Sequence, residues 1–364
     1  MCDRVGDRMA QRRAEDASAI LSPHCVHKEW KGDDLSVRGE HVGLRAAAAN
    51  LAKKLFGSEE HRDEVVDLMN SQQIDIMVAS EPGNACGMTV AALRNYMIKK
   101  DMEVVIMTRG SYGMAGGQVM IINRQWAKLQ RTVHQFYPVK ADRDRAFAVE
   151  LNNKLPGAHN KMLVVGYYGY NEAPDHRDEI KEMHDFLRGI IKSYRTKNPF
   201  GSLMLMGDLN AAQWSEIDTD REHDSGYEVD SGTQDDHGWE AEADSFVVTE
   251  LTGLGLTDAI RDRYPCHNFV TRRVDHQTKR FLDRIFVSKE LANAKMRAGI
   301  YQQGIFTYGG VHTDHMVVVI DLSIDCAGGA AKRVKLWTKH KKSTLRWDAD
   351  DMGCLLYTSP SPRD

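Results

Sequence analysis

No stretch of the chain approaches the run of about 18 apolar residues that a membrane helix needs. The first residues, Met1 to Arg8, lack the apolar core of a secretory signal. Six cysteines, Cys2, Cys25, Cys86, Cys266, Cys326 and Cys354, fall without paired spacing. That excludes a disulfide framework and a four-cysteine zinc site, and it suits a reducing compartment. The expected location is therefore intracellular, nuclear or cytoplasmic, with no membrane partner and no secretion. His24, Cys25 and His27 have no second pair to complete a metal site, and read as loop residues. A phosphate-binding P-loop is missing too. Gly110, Gly113, Gly116 and Gly117 lie between two strand-like runs, Glu103 to Thr108 and Gln118 to Asn123, with no following helix or Lys-Ser/Thr. That pattern predicts a hairpin.

What remains is the composition of a globular protein: 364 residues, 42% hydrophobic and 27% charged. The length suits one large domain with extensions. The formal charge of −4 misrepresents the distribution. Between Ser215 and Asp244 there are twelve Asp/Glu against Arg221 alone, the pattern of a solvated surface insertion. The rest of the chain is basic. Arg261, Arg263, Arg272, Arg273, Lys279, Arg280 and Arg284 crowd one stretch, with His267 and Thr271 among them. A second basic stretch, Lys332 to Trp347, has seven Lys/Arg, no acid, and Trp337 and Trp347. Such stretches attract phosphate backbones and stack on bases. The second reads equally well as a solvated tail.

The candidate chemistry sits at the ends of apolar runs. Leu203 to Gly207 is strand-like and leads into Asp208 and Asn210, which share one face of an extended chain. Ile74 to Ser80 ends at Glu81, and Met162 to Tyr167 at Tyr168. Phe281 to Val287 carries Asp283 near its start, and Asp314 and His315 stand just ahead of the apolar Met316 to Ile320. Leu44 to Asn50 is alanine-rich and reads as strand or helix. The helix period is plain over Asp175 to Arg195, with Ile180, Met183, Phe186, Leu187, Ile190 and Ile191 on one stripe. Each polar residue also has an ordinary use: Glu81 could cap a helix, Asp283 could pair with Arg284, and His315 could be a core histidine.

Taken in order, Asn50, Glu81, Tyr168, Gly207-Asp208-Leu209-Asn210, Asp283 and Thr313-Asp314-His315 resemble the endonuclease/exonuclease/phosphatase superfamily. The likeness covers about residues 44 to 322. It implies an α/β fold, a two-sheet β-sandwich flanked by helices in four α/β/β/α layers, deoxyribonuclease-like. It implies a hydrolase with Mg²⁺, or Mn²⁺ in its place, held by Glu81, Asp314 and Asn50. Asp208 and Asn210 would handle the attacking water, Tyr168 the phosphate, and His315 with Asp283 the developing charge. Thr271, Arg272, Arg273 and Arg280 are the candidate substrate contacts.

Within the superfamily, Phe281-Leu282-Asp283-Arg284 lacks the Trp-Cys that inositol phosphatases carry before the Asp. Leu256 to Arg261, Tyr264-Pro265 and Phe269 to Thr271 resemble the nuclease branch. The expectation is a metal-dependent DNA endonuclease, of the kind found in non-long-terminal-repeat retrotransposons, where a reverse transcriptase domain would follow. The alternatives are a phosphatase or phospholipase of the same superfamily and a catalytically silent nucleic-acid-binding module. The expected layout is a flexible lead-in over 1–43, a catalytic domain over 44–322 with the acidic insertion at 215–244, and over 323–353 a basic linker or the start of a missing downstream domain. Residues 354–364 look like translated adapter sequence, a non-native tail with no part in the expected fold.

Overall fold

Period-two patterning decides which face of each strand meets which layer. The computed structural model describes residues 29–39, 42–83, 88–108, 117–127, 130–136, 145–153, 161–170, 177–199, 201–210, 219–221, 250–265, 269–274, 278–292, 297–302 and 314–323. In chain order the strands are β1 (Trp30–Gly32), β2 (Val42–Asn50), β3 (Ile76–Ser80), β4 (Met102–Met107) and β5 (Gln118–Asn123). Next come β6 (Gln130–Phe136), β7 (Ala146–Asn153), β8 (Lys161–Tyr167), β9 (Ser202–Asp208) and β10 (Thr219–Arg221). The last six are β11 (Leu256–Asp258), β12 (Arg272–Val274), β13 (Thr278–Arg280), β14 (Asp283–Ser288), β15 (Arg297–Tyr301) and β16 (Val317–Ser323). They form a seven-stranded sheet in the order β1-β15-β16-β2-β3-β5-β4, and a six-stranded sheet in the order β11-β14-β9-β8-β7-β6. A small ribbon, β10-β13-β12, completes the set.

The two large sheets pack face to face. Leu44, Ala46 and Ala48 of β2 and Val318 and Ile320 of β16 share a core with Val164 of β8 and Met204 and Met206 of β9. The alternate residues point outward. Ala47 and Ala49 meet Val65 and Met69 of the helix Glu59–Ser71 and Leu93 and Met97 of the helix Val90–Lys99. Leu203, Leu205 and Val165 meet Met183, Leu187 and Ile191 of the helix Arg177–Lys197, the stripe legible in the sequence. The result is helix, sheet, sheet, helix. Among the described residues, no helix is long and apolar enough to cross a membrane.

Leu44 to Asn50 settles as strand. β2 lies between β16 and β3 with every residue buried, so it needs no polar alternation and its small side chains fit between layers. Arg45 is the exception. It is 1% exposed, its Nε and Nη2 reach Asp321 Oδ1 and Oδ2 at 2.6 and 2.9 Å, and its Nη1 donates to Gln72 O at 2.6 Å. Arg297 also donates to Asp321, at 2.6 Å. This charged knot ties β2, β15 and β16 at the end of the sheet away from Asn50.

Two glycines set how closely β8 and β9 approach. Gly207 has φ of +146°, and a Cβ there would stand 2.0 Å from the Tyr167 carbonyl oxygen. A Cβ on Gly169 would stand 1.9 Å from the Leu209 oxygen. Only glycine lets the two strand ends lie this close, and these ends carry Tyr168 and Asp208.

The structure corrects the expected lead-in. Residues 29–39 belong to the fold: β1 pairs with β15, and Trp30 and Leu35 are buried. The pairing of three residues on an edge leaves too weak a pattern to detect in sequence. The hairpin over Glu103 to Asn123 is present as β4 and β5, with residues 109–116 of its loop outside the described residues. Of the acidic insertion, Thr219–Arg221 is described and pairs with β13. His24, Cys25 and His27, the basic stretch over 332–347 and the end of the chain lie outside the described residues.

Removing Arg45 would leave Asp321 buried beside Arg297 alone. Arg45→Ala is expected to destabilise the domain by about 3 kcal/mol, the lower end for a broken buried pair. Urea denaturation measures it, and a loss under about 1 kcal/mol would show that Arg297 alone suffices.

Candidate active site

Strand ends from both sheets converge on one polar cavity of about 250 Å³. Asn50, Ala52, Lys53, Glu81, Asp208, Asn210, Arg272, Asp314 and His315 line it. β2 and β3 are parallel, so Asn50 and Glu81 emerge from the same edge of the first sheet. β9 supplies Asp208 and β14 supplies Asp283 from the second sheet, and the two acids are direct partners in the antiparallel register. Directly opposed residues share a face. His315 and Asp314 precede β16 of the first sheet.

Asp208 is 1% exposed and held from several sides. Asn50 Nδ2 donates to its Oδ2 at 3.0 Å, and the Asn210 N–H donates to its Oδ1 at 3.0 Å. Its own N–H donates to Ser80 Oγ at 3.4 Å. Asn50 Oδ1 accepts the Ala52 N–H at 2.9 Å, which shapes the turn carrying Lys53. Burial and then the Asp283 charge raise the Asp208 carboxyl to about 6, against the opposing pull of His315, Asn50 and the Asn210 amide. It is ionised at neutral pH, yet far more basic than a solvated carboxylate.

His315 is 5% exposed, with Nδ1 2.7 Å from Asp283 Oδ2. Its Nε2 lies 3.9 Å from Asp208 and 4.0 Å from Asp314. Burial alone would lower its pKa, but the Asp283 charge and hydrogen bond, then Asp208 and Asp314, raise it to about 9. The imidazolium is thus the dominant form at pH 7. Asp283 does not use Arg284, whose Nη1 instead donates to Asp258 at 2.9 Å.

On the other wall, Tyr168 Oη donates to Glu81 Oε1 at 2.5 Å. Burial and the neighbouring Glu81 charge hold the phenol protonated, far above its ordinary value. Among the described residues Glu81 caps no helix; Thr89 caps the next one, accepting the Ala92 N–H at 3.1 Å. Asn210 Nδ2 donates to the Gly169 carbonyl at 3.0 Å, so the Tyr168 turn and the Asp208 turn are locked together.

The expected substrate contacts divide. Arg272 lines the cavity, its Nε donating to Asp314 Oδ2 at 3.0 Å. Thr271 departs from the expectation: it is fully buried, and its Oγ1 accepts the Leu282 and Asp283 N–H groups, each at 2.9 Å. Its carbonyl accepts the Met316 N–H at 2.6 Å. Thr271 therefore pins the segments bearing Asp283 and His315 beneath the cavity. Arg273 and Arg280 lie on β12 and β13 of the ribbon, and Arg280 registers with Arg272. Their side chains lie outside the described residues.

Several participants escaped the sequence reading. Lys53 follows Asn50 by three residues and reaches the cavity through a left-handed turn, φ +66°. Ser80 is hidden as an ordinary strand residue. Arg145 lies 4.5 Å over the Tyr168 ring and 4.3 Å over the Tyr170 ring, and Nη1 donates to the Gly169 oxygen at 2.7 Å. Nothing local marks it, because its partners lie more than twenty residues away in sequence.

The donor set fits a hard divalent cation. Glu81, Asp314 and Asp208 bring carboxylate oxygens to the cavity, and Asn50 and Asn210 bring amide groups. A second grouping, Asp208, Asp283 and His315, has ligand atoms within 4.8 Å of one another. There the Asp283–His315 contact already holds a proton, which competes with a cation for the same atoms.

No protein-family model matches the chain, and neither does any curated protein. Solved structures do. AP endonuclease LMAP from Leishmania major superposes with a TM-score of 0.55 at 14% identity, covering 77% of this chain and 87% of that one. An AP endonuclease from Archaeoglobus fulgidus gives 0.53 at 14%, covering 76% and 98%. The 3′ phosphatase NExo from Neisseria, bound to product DNA hairpin, gives 0.53 at 18%, covering 77% and 99%. The fold is thus the deoxyribonuclease-like two-sheet sandwich shared with AP endonuclease structures.

The His315 pKa has a testable sign. The folded value, about 9, exceeds the ordinary 6.5. The stability it contributes is present in full below pH 6.5 and fades as pH rises through about 9. A proton NMR titration of the chelator-treated protein should place the His315 midpoint near 9. Asp283→Asn should move that midpoint down. A native midpoint at 6.5 would refute the charge arrangement.

Proposed function

We propose that the chain is a divalent-metal-dependent phosphodiester hydrolase acting on DNA, first as an endonuclease. The observation that carries this reading is the single cavity in which an ionised, elevated-pKa Asp208 faces an imidazolium across 3.9 Å, with Glu81 and Asp314 on the rim.

Hydrolysis of a phosphodiester requires an aligned water, relief of charge on the phosphoryl oxygens and help for the leaving oxygen. Asp208 orients the water and accepts its proton, and its pKa of about 6 suits a base near neutrality. Asn50 and the Asn210 N–H fix the angle of that carboxylate. His315, held by Asp283, turns Nε2 to the cavity and donates to a phosphoryl oxygen. Tyr168 holds Glu81 in place. Bound Mg²⁺ or Mn²⁺, held by Glu81 and Asp314 with Asn50 beside them, would supply charge neutralisation at the phosphate and the leaving oxygen. Lys53 and Arg272 add positive charge at the mouth.

The likeness to AP endonucleases and to a DNA-bound 3′ phosphatase supports a nucleic-acid substrate, and so does the basic ribbon β12–β13 beside His315. The placement in a retrotransposon with a downstream polymerase rests on the sequence resemblance. A terminal 3′-phosphate is the second reading, favoured by the small, highly polar cavity.

The purified domain should nick supercoiled plasmid with Mg²⁺ and stop when a chelator is added. Asp208→Asn and His315→Ala should each slow cleavage by about 10²-fold or more without lowering the unfolding temperature much. Undiminished nicking by both variants would sink the assignment. Parallel assays on intact duplex, abasic duplex, a 3′-phosphate-ended duplex and an inositol phosphate decide the substrate. Preferred turnover of the inositol phosphate would transfer the reading to the phosphatase branch.

A further inference from the structure

We propose that Arg272 is a phosphate-binding group held in reserve by Asp314 and released when a divalent cation takes the Asp314 carboxylate. This inference rests on reading the cavity as a metal-dependent phosphodiester site. It adds a coupling: metal binding and nucleic-acid binding strengthen each other through one exchanged ion pair.

The geometry that suggests an exchange is the contrast among three arginine–carboxylate pairs. Arg45–Asp321 and Arg284–Asp258 are at most 1% exposed on either side, and no ion in solvent can reach them. Arg272–Asp314 is 29% and 41% exposed and stands at the cavity itself. A part-exposed pair of this kind is weak and readily exchanged.

Arg272 is also only partly used. Its Nε donates to Asp314, while Nη1 and Nη2 make no hydrogen bond to the described residues. Those two groups form the fork that fits two phosphate oxygens. The base of the side chain is fixed, since Arg272 forms an antiparallel bridge with His315 and follows the fully buried Thr271. The head can therefore swing while its root stays beside the reacting centre.

Charge supplies the direction of the exchange. The guanidinium sits in the field of Asp314, Asp208 and Glu81, which stabilise its charge there against the cost of burial. A divalent cation held by Glu81 and Asp314 would satisfy the same carboxylates with twice the charge. It repels the guanidinium, which then needs an anion. The entering phosphate is that anion, and its charge-assisted contact with Arg272 replaces the one lost to Asp314. Coupling of this kind is reciprocal: the factor by which metal tightens nucleic acid equals the factor by which nucleic acid tightens metal.

The test measures binding rather than turnover. Mn²⁺ affinity is read by electron paramagnetic resonance of the free ion, with no nucleic acid present. Arg272→Gln should bind Mn²⁺ about two- to fivefold more tightly than the native protein, the range a part-exposed ion pair is worth. Arg272→Lys, which keeps a cation for Asp314, should stay near native in this assay. Duplex binding is then measured by fluorescence anisotropy at fixed ionic strength, with Asp208→Asn in every arm to stop cleavage. Mn²⁺ should enhance duplex affinity by a factor about two- to fivefold smaller in Arg272→Gln and Arg272→Lys than in the parent. Asp314→Asn should raise metal-free duplex affinity, because it frees the arginine.

Unchanged Mn²⁺ affinity in Arg272→Gln, or equal enhancement in all arms, would overturn the exchange. If the native protein binds Mn²⁺ and nicks plasmid, that result leaves the proposed function standing. A native protein that binds no Mn²⁺ would overturn the metal-dependent reading and the exchange with it.

Discussion

Everything at the cavity depends on the hydrogen bond between Asn50 of one sheet and Asp208 of the other, 3.0 Å long. A two-sheet sandwich keeps its layers about 10 Å apart and fills the gap with interdigitated side chains, here mostly apolar, so a polar contact across it needs both groups in place. Here such contact is needed, because Glu81, Asp314 and His315 come from the seven-stranded sheet and Asp208 and Asp283 from the six-stranded one. The sandwich closes at this edge. Asn50 and Ser80 reach across to Asp208, and the glycines at 169 and 207 let the ends of β8 and β9 crowd together. The wide apolar core between the sheets fixes the distance elsewhere, and the Arg45–Asp321 knot secures the far end.

The second constraint is electrostatic. Asp208 and Asp283 oppose each other in register, an arrangement that disfavours two charges. Placing His315 against Asp283 relieves it, and the same contact gives the imidazolium its persistence. Burial, and after it the repulsion from Asp283 that is left over, appear as the raised pKa of Asp208. One buried charge arrangement thus sets a carboxylate of raised pKa against a persistently charged histidine.

Legibility in the sequence followed from how local the signal was. Glu81, Asp208, Asp283 and His315 each end or begin an apolar run, and a strand end is a local pattern. The long amphipathic helix was legible for the same reason. The alanine run at β2 was ambiguous, because burial of one face against the second sheet and of the other against the helices removes the alternation that marks a strand. Thr271 read as a substrate contact since it neighbours arginines. Its inward turn is set by two amides eleven and twelve residues on. Arg145 and Ser80 matter only through partners distant in sequence, and single-chain reading has no access to those.

Backbone conformation links the site to its cost in stability. Among the described residues, six non-glycines have positive φ, and four of them, Ala52, Lys53, Glu81 and Asn210, line the cavity. Such conformations cost about 1–3 kcal/mol each and persist when surrounding bonds over-determine them. The bonds are present. Lys53 N–H donates to the Glu81 oxygen at 2.8 Å and Glu81 N–H to the Gly117 oxygen at 3.1 Å. Ala52 N–H donates to Asn50 Oδ1, and Asn210 N–H to Asp208 Oδ1. Asparagine tolerates this region because its short side chain bonds locally, but glutamate and lysine do not share that ease. A fold selected only for stability would place glycine at 53 and 81. Retaining Lys53 and Glu81 there keeps a cation and a carboxylate aimed into one cavity, which is intelligible if that cavity binds a charged phosphate and its metal.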